Sequence, residues 1–168
     1  KRIVVGHDLD VGGEVALGSA TALANRFGAA IRLVHVVEPL DAYQRISHPL
    51  TSPYTLDEIA QKTGVRLQAL SASPNLARLQ VDYEVRIGKP FVELITAGKS
   101  WPADLIVVGG SSRTEEPFLG STSERIVRKA LIPVMVAKKL LSSEAKTFLV
   151  ATDFSACARK AAEEALVL

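Results

Sequence analysis

Apolar positions along the chain change period several times, and each change marks an element. Residues 1–6 place Ile3, Val4 and Val5 in an unbroken run, the pattern of a short apolar strand. After a polar loop over residues 7–13, Val15, Leu17, Ala20, Leu23, Ala24 and Phe27 recur close to helical spacing, and Gly28 supplies the stop. Residues 31–37 return to a strand pattern that Glu38 and Pro39 end. The stretch 40–54 has no period and is broken by prolines, so it reads as loop. Thr55 and Glu58 form a capping box opening a helix with Leu56, Ile59, Ala60, Leu67 and Leu70 on its apolar side, although Gly64 is a weak helix former. Val81, Tyr83, Val85 and Ile87 alternate with polar residues, which predicts a strand near a sheet edge with one face buried. Pro90 begins a short helix that turns Phe91, Leu94 and Ile95 inward, with Gly98 placed just past its end.

Residues 104–124 organise what surrounds them. Leu105, Ile106, Val107 and Val108 form a buried strand that empties into Gly109 and Gly110. A polar loop follows, and Gly120 then precedes Ser121, Thr122, Ser123 and Glu124, read as a capping box in which Ser121 takes the Glu124 amide. The helix is expected over 122–131, and Pro133 opens a last strand ending at Ala137. Strands alternating with helices predict an α/β fold, a mostly parallel sheet with helices on both faces and right-handed crossovers. A strand order of 3-2-1-4-5 would put the reversal point between the first and fourth strands. Gly6, His7 and Asp8 would then face Gly109 and Gly110 across one crevice, where such sheets bind ligands. Free amides at the start of the next helix would complete a phosphate-sized anion site.

The opening of the chain recurs near its other end. Residues 146–155, with an acid at Asp153, match residues 1–10, with Asp8, and an alanine-rich helical pattern follows. The expected organisation is one domain over 1–139, a linker at 140–145, and the first strand and helix of a second, incomplete copy over 146–168. A net charge of +2 over 168 residues gives no basic stripe, so nucleic acid is not an expected partner. No apolar run reaches membrane-spanning length, and the single cysteine, Cys157, fits a reducing compartment, which predicts a cytoplasmic protein with no membrane partner. His7 and His35 end neighbouring strands but lack a third ligand at recognisable spacing, so no metal site is expected. Val134, Met135 and Val136 form an apolar edge suited to pairing, either in a homodimer or in a pseudo-dimer of tandem domains.

Together these residues resemble the universal stress protein family. The likeness is carried by the strand ending at Asp8, His35 and Val36, residues 87–90, residues 103–109, Gly120 with Ser121, and residues 132–134. It implies a five-stranded Rossmann-like sheet, dimerisation through the last strand and, in one branch, an adenine nucleotide such as ATP at the reversal point, with Mg accompanying it. The resemblance places Asp8 with Gly6 and His7 near the adenosine, the Val36 backbone on the adenine, Val108 and Gly109 along the nucleoside, and Gly120, Ser121 and Thr122 on phosphate. Ser112 stands where that branch has its middle glycine, and the loop from there to Gly120 is two residues short and holds Glu115 and Glu116. Acidic charge near a phosphate lowers affinity.

Three functions follow from these observations. The first is a stress-response protein that binds ATP, ADP or AMP as a regulatory ligand and is not an enzyme. The second is a member that binds no nucleotide and acts by dimerisation and partner contacts. The third is an ATP-dependent hydrolase or ligase-type enzyme, against which the loop after the first strand lacks the expected Ser-Gly-Gly start, and no Walker or dinucleotide-binding motif is present.

Overall fold

A computed structural model describes residues 1–39, 55–110, 119–141, 147 and 149–167. The strands are β1 (Arg2–Gly6), β2 (Ala30–Val37), β3 (Val81–Ile87), β4 (Leu105–Gly109) and β5 (Val134–Ala137). They form one parallel sheet in the order β3-β2-β1-β4-β5, with β1 paired to β2 on one side and β4 on the other. The expected order and the edge position of β3 are both observed. The helices are α1 (Val11–Phe27), α2 (Leu56–Ser71), α3 (Pro90–Ser100), α4 (Ser121–Lys129) and α5 (Ala156–Val167).

Strand pleat sorts the core into two layers. Ile3, Val5, Ile31, Leu33 and Val107 point to one face, where Leu17, Ala20 and Ala24 of α1 and Leu67 of α2 cover them. Val4, Val34, Ile106 and Val108 point to the other, against Leu94 and Ala97 of α3 and Ile126 of α4. Val4, Val5, Ile106 and Val107 are fully buried, as the unbroken apolar runs require of strands covered twice.

Helix ends follow local chemistry. Asp10 caps α1 by accepting the Val11 amide, and Gly28 closes it in the left-handed region at φ 61°. Thr55 and Glu58 exchange both bonds of the capping box at α2, and that helix continues through Gly64. Three boundaries differ from expectation. Gly12 and Gly13 lie inside the first turn of α1, not in the loop. Gly98 lies inside α3, where an added Cβ would meet Ile132 Cδ1 at 2.9 Å and Ile106 Cδ1 at 3.1 Å, so it is a packing glycine and not a stop. The cap of α4 is Gly120 at φ 86°, and Glu124 donates its amide to the Gly120 carbonyl, which places Ser121 as the first helical residue and removes it from the capping-box role. Glu124 pairs instead with Arg128 one turn on.

The chain leaving β5 is fastened before it departs. Buried Ser19 of α1 accepts the Leu141 amide at 3.1 Å, and its hydroxyl donates to the Lys139 carbonyl at 3.4 Å. The expected linker thus starts docked on α1, and residues 142–146 lie outside the described residues. Trp101 lies near Arg2 of β1 and Arg32 of β2, whose guanidinium carbons sit 5.8 and 4.6 Å from its ring centre.

Candidate functional site

The carboxyl ends of β1 and β4 are adjacent, with Gly6 opposite Val108. The β1–β2 ladder ends at Gly6 opposite Val34, so Val36 lies two residues beyond it. An added Cβ on Gly6 would meet Leu94 Cδ1 at 2.8 Å and Val108 Cγ1 at 3.0 Å, which turns this position toward the α3–α4 layer. Val36 packs into that same layer.

Backbone approach defines the crevice. A side chain on Gly109 would run into the Gly12 carbonyl, so the end of β4 and the first turn of α1 meet main chain to main chain. A Cβ on Gly12 would lie 3.1 Å from Asp8 Oδ2 and 3.4 Å from the Gly110 carbonyl. Asp8 and Gly110 therefore flank one α-carbon, and two turns a hundred residues apart border the same space. Asp8 is exposed, and its Oδ1 accepts the amides of Asp10 at 3.0 Å and Gly13 at 2.8 Å. Both bonds are turn-forming, which is the Asx role. Among the described residues they leave Oδ2 without a partner.

The start of α4 joins this crevice through a residue that sequence reasoning passed over. Buried Ser123 donates its hydroxyl to the Gly109 carbonyl at 2.8 Å, tying the helix to the end of β4. The signal was a hydroxyl at the inward position of the first turn, but choosing Ser121 as the cap hid it. The amides of Ser121, Thr122 and Ser123 have no acceptor within the helix, and Gly120 has no side chain to cap them. Ser121 is exposed and Thr122 half-buried. Ser112, Glu115 and Glu116 lie outside the described residues.

His7 departs from its expected place. Its ring points to the α1–α2 layer, on the opposite side from Gly6, and the residue is 2% exposed. Nδ1 accepts the Leu9 amide at 3.0 Å, so the neutral ring carries its proton on Nε2. Among the described residues Nε2 has no hydrogen-bond partner, and it lies 3.6 Å from Glu14 Oε1. Burial lowers the His7 pKa from its ordinary value, and the charges of Glu14 and Asp8 oppose that shift in part. Gly13 makes room for the ring, since a Cβ there would sit 2.6 Å from Nδ1. His7 borders the crevice through its backbone, whose carbonyl lies 2.7 Å from His35 Nδ1. Among the described residues, no group of three or more metal-ligating side chains is present.

A family model described as the universal stress protein family matches residues 1–138. The chain belongs to the universal stress protein family. Universal stress protein MJ0531 of Methanocaldococcus jannaschii is 30% identical over 148 residues, covering 83% of this chain and 82% of the relative. Among solved structures, the universal stress protein UspA from Lactobacillus plantarum superposes with a TM-score of 0.63 at 24% identity, over 82% of this chain and 97% of the other. A universal stress protein from Archaeoglobus fulgidus, solved in complex with dAMP, gives 0.58 at 20% identity, over 82% of this chain and 97% of its own. Another, solved in complex with cAMP, gives 0.53 at 22% identity, over 83% of this chain and 97% of its own. At these identities the likeness to solved structures speaks for the Rossmann-like fold. Among the described residues no helix is long and apolar enough to cross a membrane.

Proposed function

We propose that this universal stress protein binds an adenosine nucleotide at the carboxyl ends of β1 and β4, as a regulatory ligand and not as a reactant. The carrying observation is the first turn of α4, held against Gly109 by Ser123, with three amides that have no acceptor among the described residues. Gly120, Ser121 and Thr122 would take the phosphate, Val108 and Gly109 would line the sugar, and the Val36 backbone would meet the base beyond the end of the β1–β2 ladder. Asp8 Oδ2 would face the ribose, while its Oδ1 holds the turn. Family members solved with dAMP and with cAMP point to a ligand with one phosphate. Mg would have a role only with ADP or ATP.

Calorimetry with AMP, ADP and ATP tests the reading. Saturable AMP binding is expected, with ATP at least tenfold weaker, and Gly120→Ala should lose AMP affinity because φ 86° strains any side chain. Absence of binding by all three would overturn it in favour of the second reading, a stress protein acting through partner contacts. That reading draws support from β5, a sheet edge whose Val134, Met135 and Val136 are only half-buried. Pairing through β5, in a homodimer or between tandem units, is compatible with either function, and sedimentation of a Met135→Lys variant would test it.

The tandem organisation is also proposed, with residues 146–168 opening a second unit. Its support is geometric: Leu9 and Phe154 share φ 62°, and α1 and α5 both begin two residues later.

A further inference from the structure

A cavity of about 330 Å³ opens between α1 and α2, with His7, Glu14, Arg66, Leu70 and Ser73 among its lining residues. We infer that this cavity is a second small-molecule site and that its ligand is a zwitterion of the α-amino-acid class with a short apolar side chain. Three polar groups at its wall are left incomplete among the described residues. His7 Nε2 is buried, carries the ring proton and has no acceptor among the described residues. The Glu14 carboxylate approaches it only to 3.6 Å, beyond hydrogen-bond range, with its side chain 60% exposed. The Arg66 guanidinium is exposed and has no ion-pair or hydrogen-bond partner among the described residues.

Charge selects the ligand class. The wall carries one fixed positive and one fixed negative group around a neutral imidazole, so a simple anion is repelled by Glu14 and a simple cation by Arg66. A zwitterion satisfies both at once. Its carboxylate pairs with Arg66, which presents a planar fork suited to that geometry, and draws the Nε2 proton of His7 into a hydrogen bond. The ammonium meets Glu14 and the Ser73 hydroxyl, while Leu9 and Leu70 offer an apolar wall for the side chain. A pocket of this size suits a ligand of amino-acid dimensions, and its mixture of apolar wall and a few convergent polar groups is the usual make-up of a small-molecule site.

The inference is tested on the full chain with L-valine and two probes that each lack one charge, isovalerate and isobutylamine. Calorimetry is expected to show saturable valine binding at least tenfold tighter than either probe, with the His7 Nε2 proton resonance moving during the titration. Arg66→Gln and Glu14→Gln, both at exposed positions, should each weaken valine at least tenfold while circular dichroism stays unchanged. Ala69→Trp, which fills the cavity from an exposed lining position, should abolish binding. The proposal is overturned by no saturable binding up to about 10 mM valine, which sets the weakest meaningful affinity near 3 kcal/mol. Isovalerate binding as tightly as valine, or valine binding untouched by Arg66→Gln, would overturn it equally. AMP binding is read in the same variants, and because the phosphate is assigned to Gly120, Ser121 and Thr122, which do not line this cavity, its presence or absence leaves the valine result interpretable.

Discussion

The turn after β1 and the turn before α5 are built alike and covered differently. In the first, His7 Nδ1 accepts the Leu9 amide and Asp8 Oδ1 accepts the Asp10 amide; in the second, Thr152 Oγ1 accepts the Phe154 amide and Asp153 Oδ1 accepts the Ser155 amide. The helix begins at the next residue in each. Around the first turn, Val4 and Val5 are fully buried and Gly13 yields space to an imidazole. Around the second, Leu149 is 99% and Phe154 94% exposed, Thr152 replaces the ring, and Ala158 stands where Gly13 does. The same local hydrogen-bond pattern is thus made at a buried turn and at an exposed one. The choice between glycine and alanine in the helix that follows depends on what the turn has to accommodate.

The contrast can be broken most forcefully at Gly13. Gly13→Ala should lower the unfolding free energy in urea by up to about 3 kcal/mol, because the new Cβ has no room beside His7 and Asp8. Ala158→Gly at the matching position should cost no more than about 1 kcal/mol, the helix-propensity difference alone. Equal losses at both positions would mean the second turn is packed like the first.

The same test applies to a pair of identical residues. Val5→Ala, at a site with no exposure, should cost about 2 kcal/mol in urea unfolding, while Val150→Ala at 40% exposure should stay within about 0.5 kcal/mol. A comparable loss at Val150 would show that this segment is covered in solution.

Protonation sharpens the difference between His7 and Thr152. The folded pKa of His7 is lowered, so the folded state resists a proton that the unfolded chain accepts below about pH 6.5. The stability tied to the neutral ring is present in full above that pH and declines as pH falls toward the folded pKa. One proton allows a slope of at most about 1.4 kcal/mol per pH unit, and the observed slope should be smaller because Glu14 and Asp8 offset part of the burial. His7→Thr, which copies the second turn, should flatten that part of the stability profile. An unchanged profile would remove His7 as its source.

The smallest effect is expected at the shared aspartate. Asp8→Ala frees two amides and should cost about 1 kcal/mol, whereas Asp153→Ala at an exposed position should leave global unfolding unchanged and alter only the helical signal of α5.

Most of the architecture was written in local patterns. The apolar runs of β1 and β4, the alternation in β3, the box at Thr55 and Glu58, and the stop at Gly28 each follow from side-chain chemistry acting over a few residues. Those patterns were enough to read the α/β order, and the motifs at Asp8, His35 with Val36, residues 87–90, residues 103–109, Gly120 with Ser121 and residues 132–134 carried the resemblance to the family. Local signals were ambiguous wherever a residue serves a neighbour distant in sequence. Gly98 looked like a helix stop because nothing nearby shows Ile106 and Ile132 pressing on it. Ser121 looked like a cap because the bond from Ser123 to Gly109 spans fourteen residues, and a glycine cap at φ 86° is set by the path of the chain. The side to which His7 points, its unshared Nε2 and the approach of Arg66 from α2 depend on which helices cover which face. Strand pleat decides that only after the sheet has assembled. Sequence set the elements and their chemistry through short-range forces. Tertiary packing decided which of those groups would be satisfied and which would be left facing a cavity, because burial is a property of neighbours that the chain brings together only by folding.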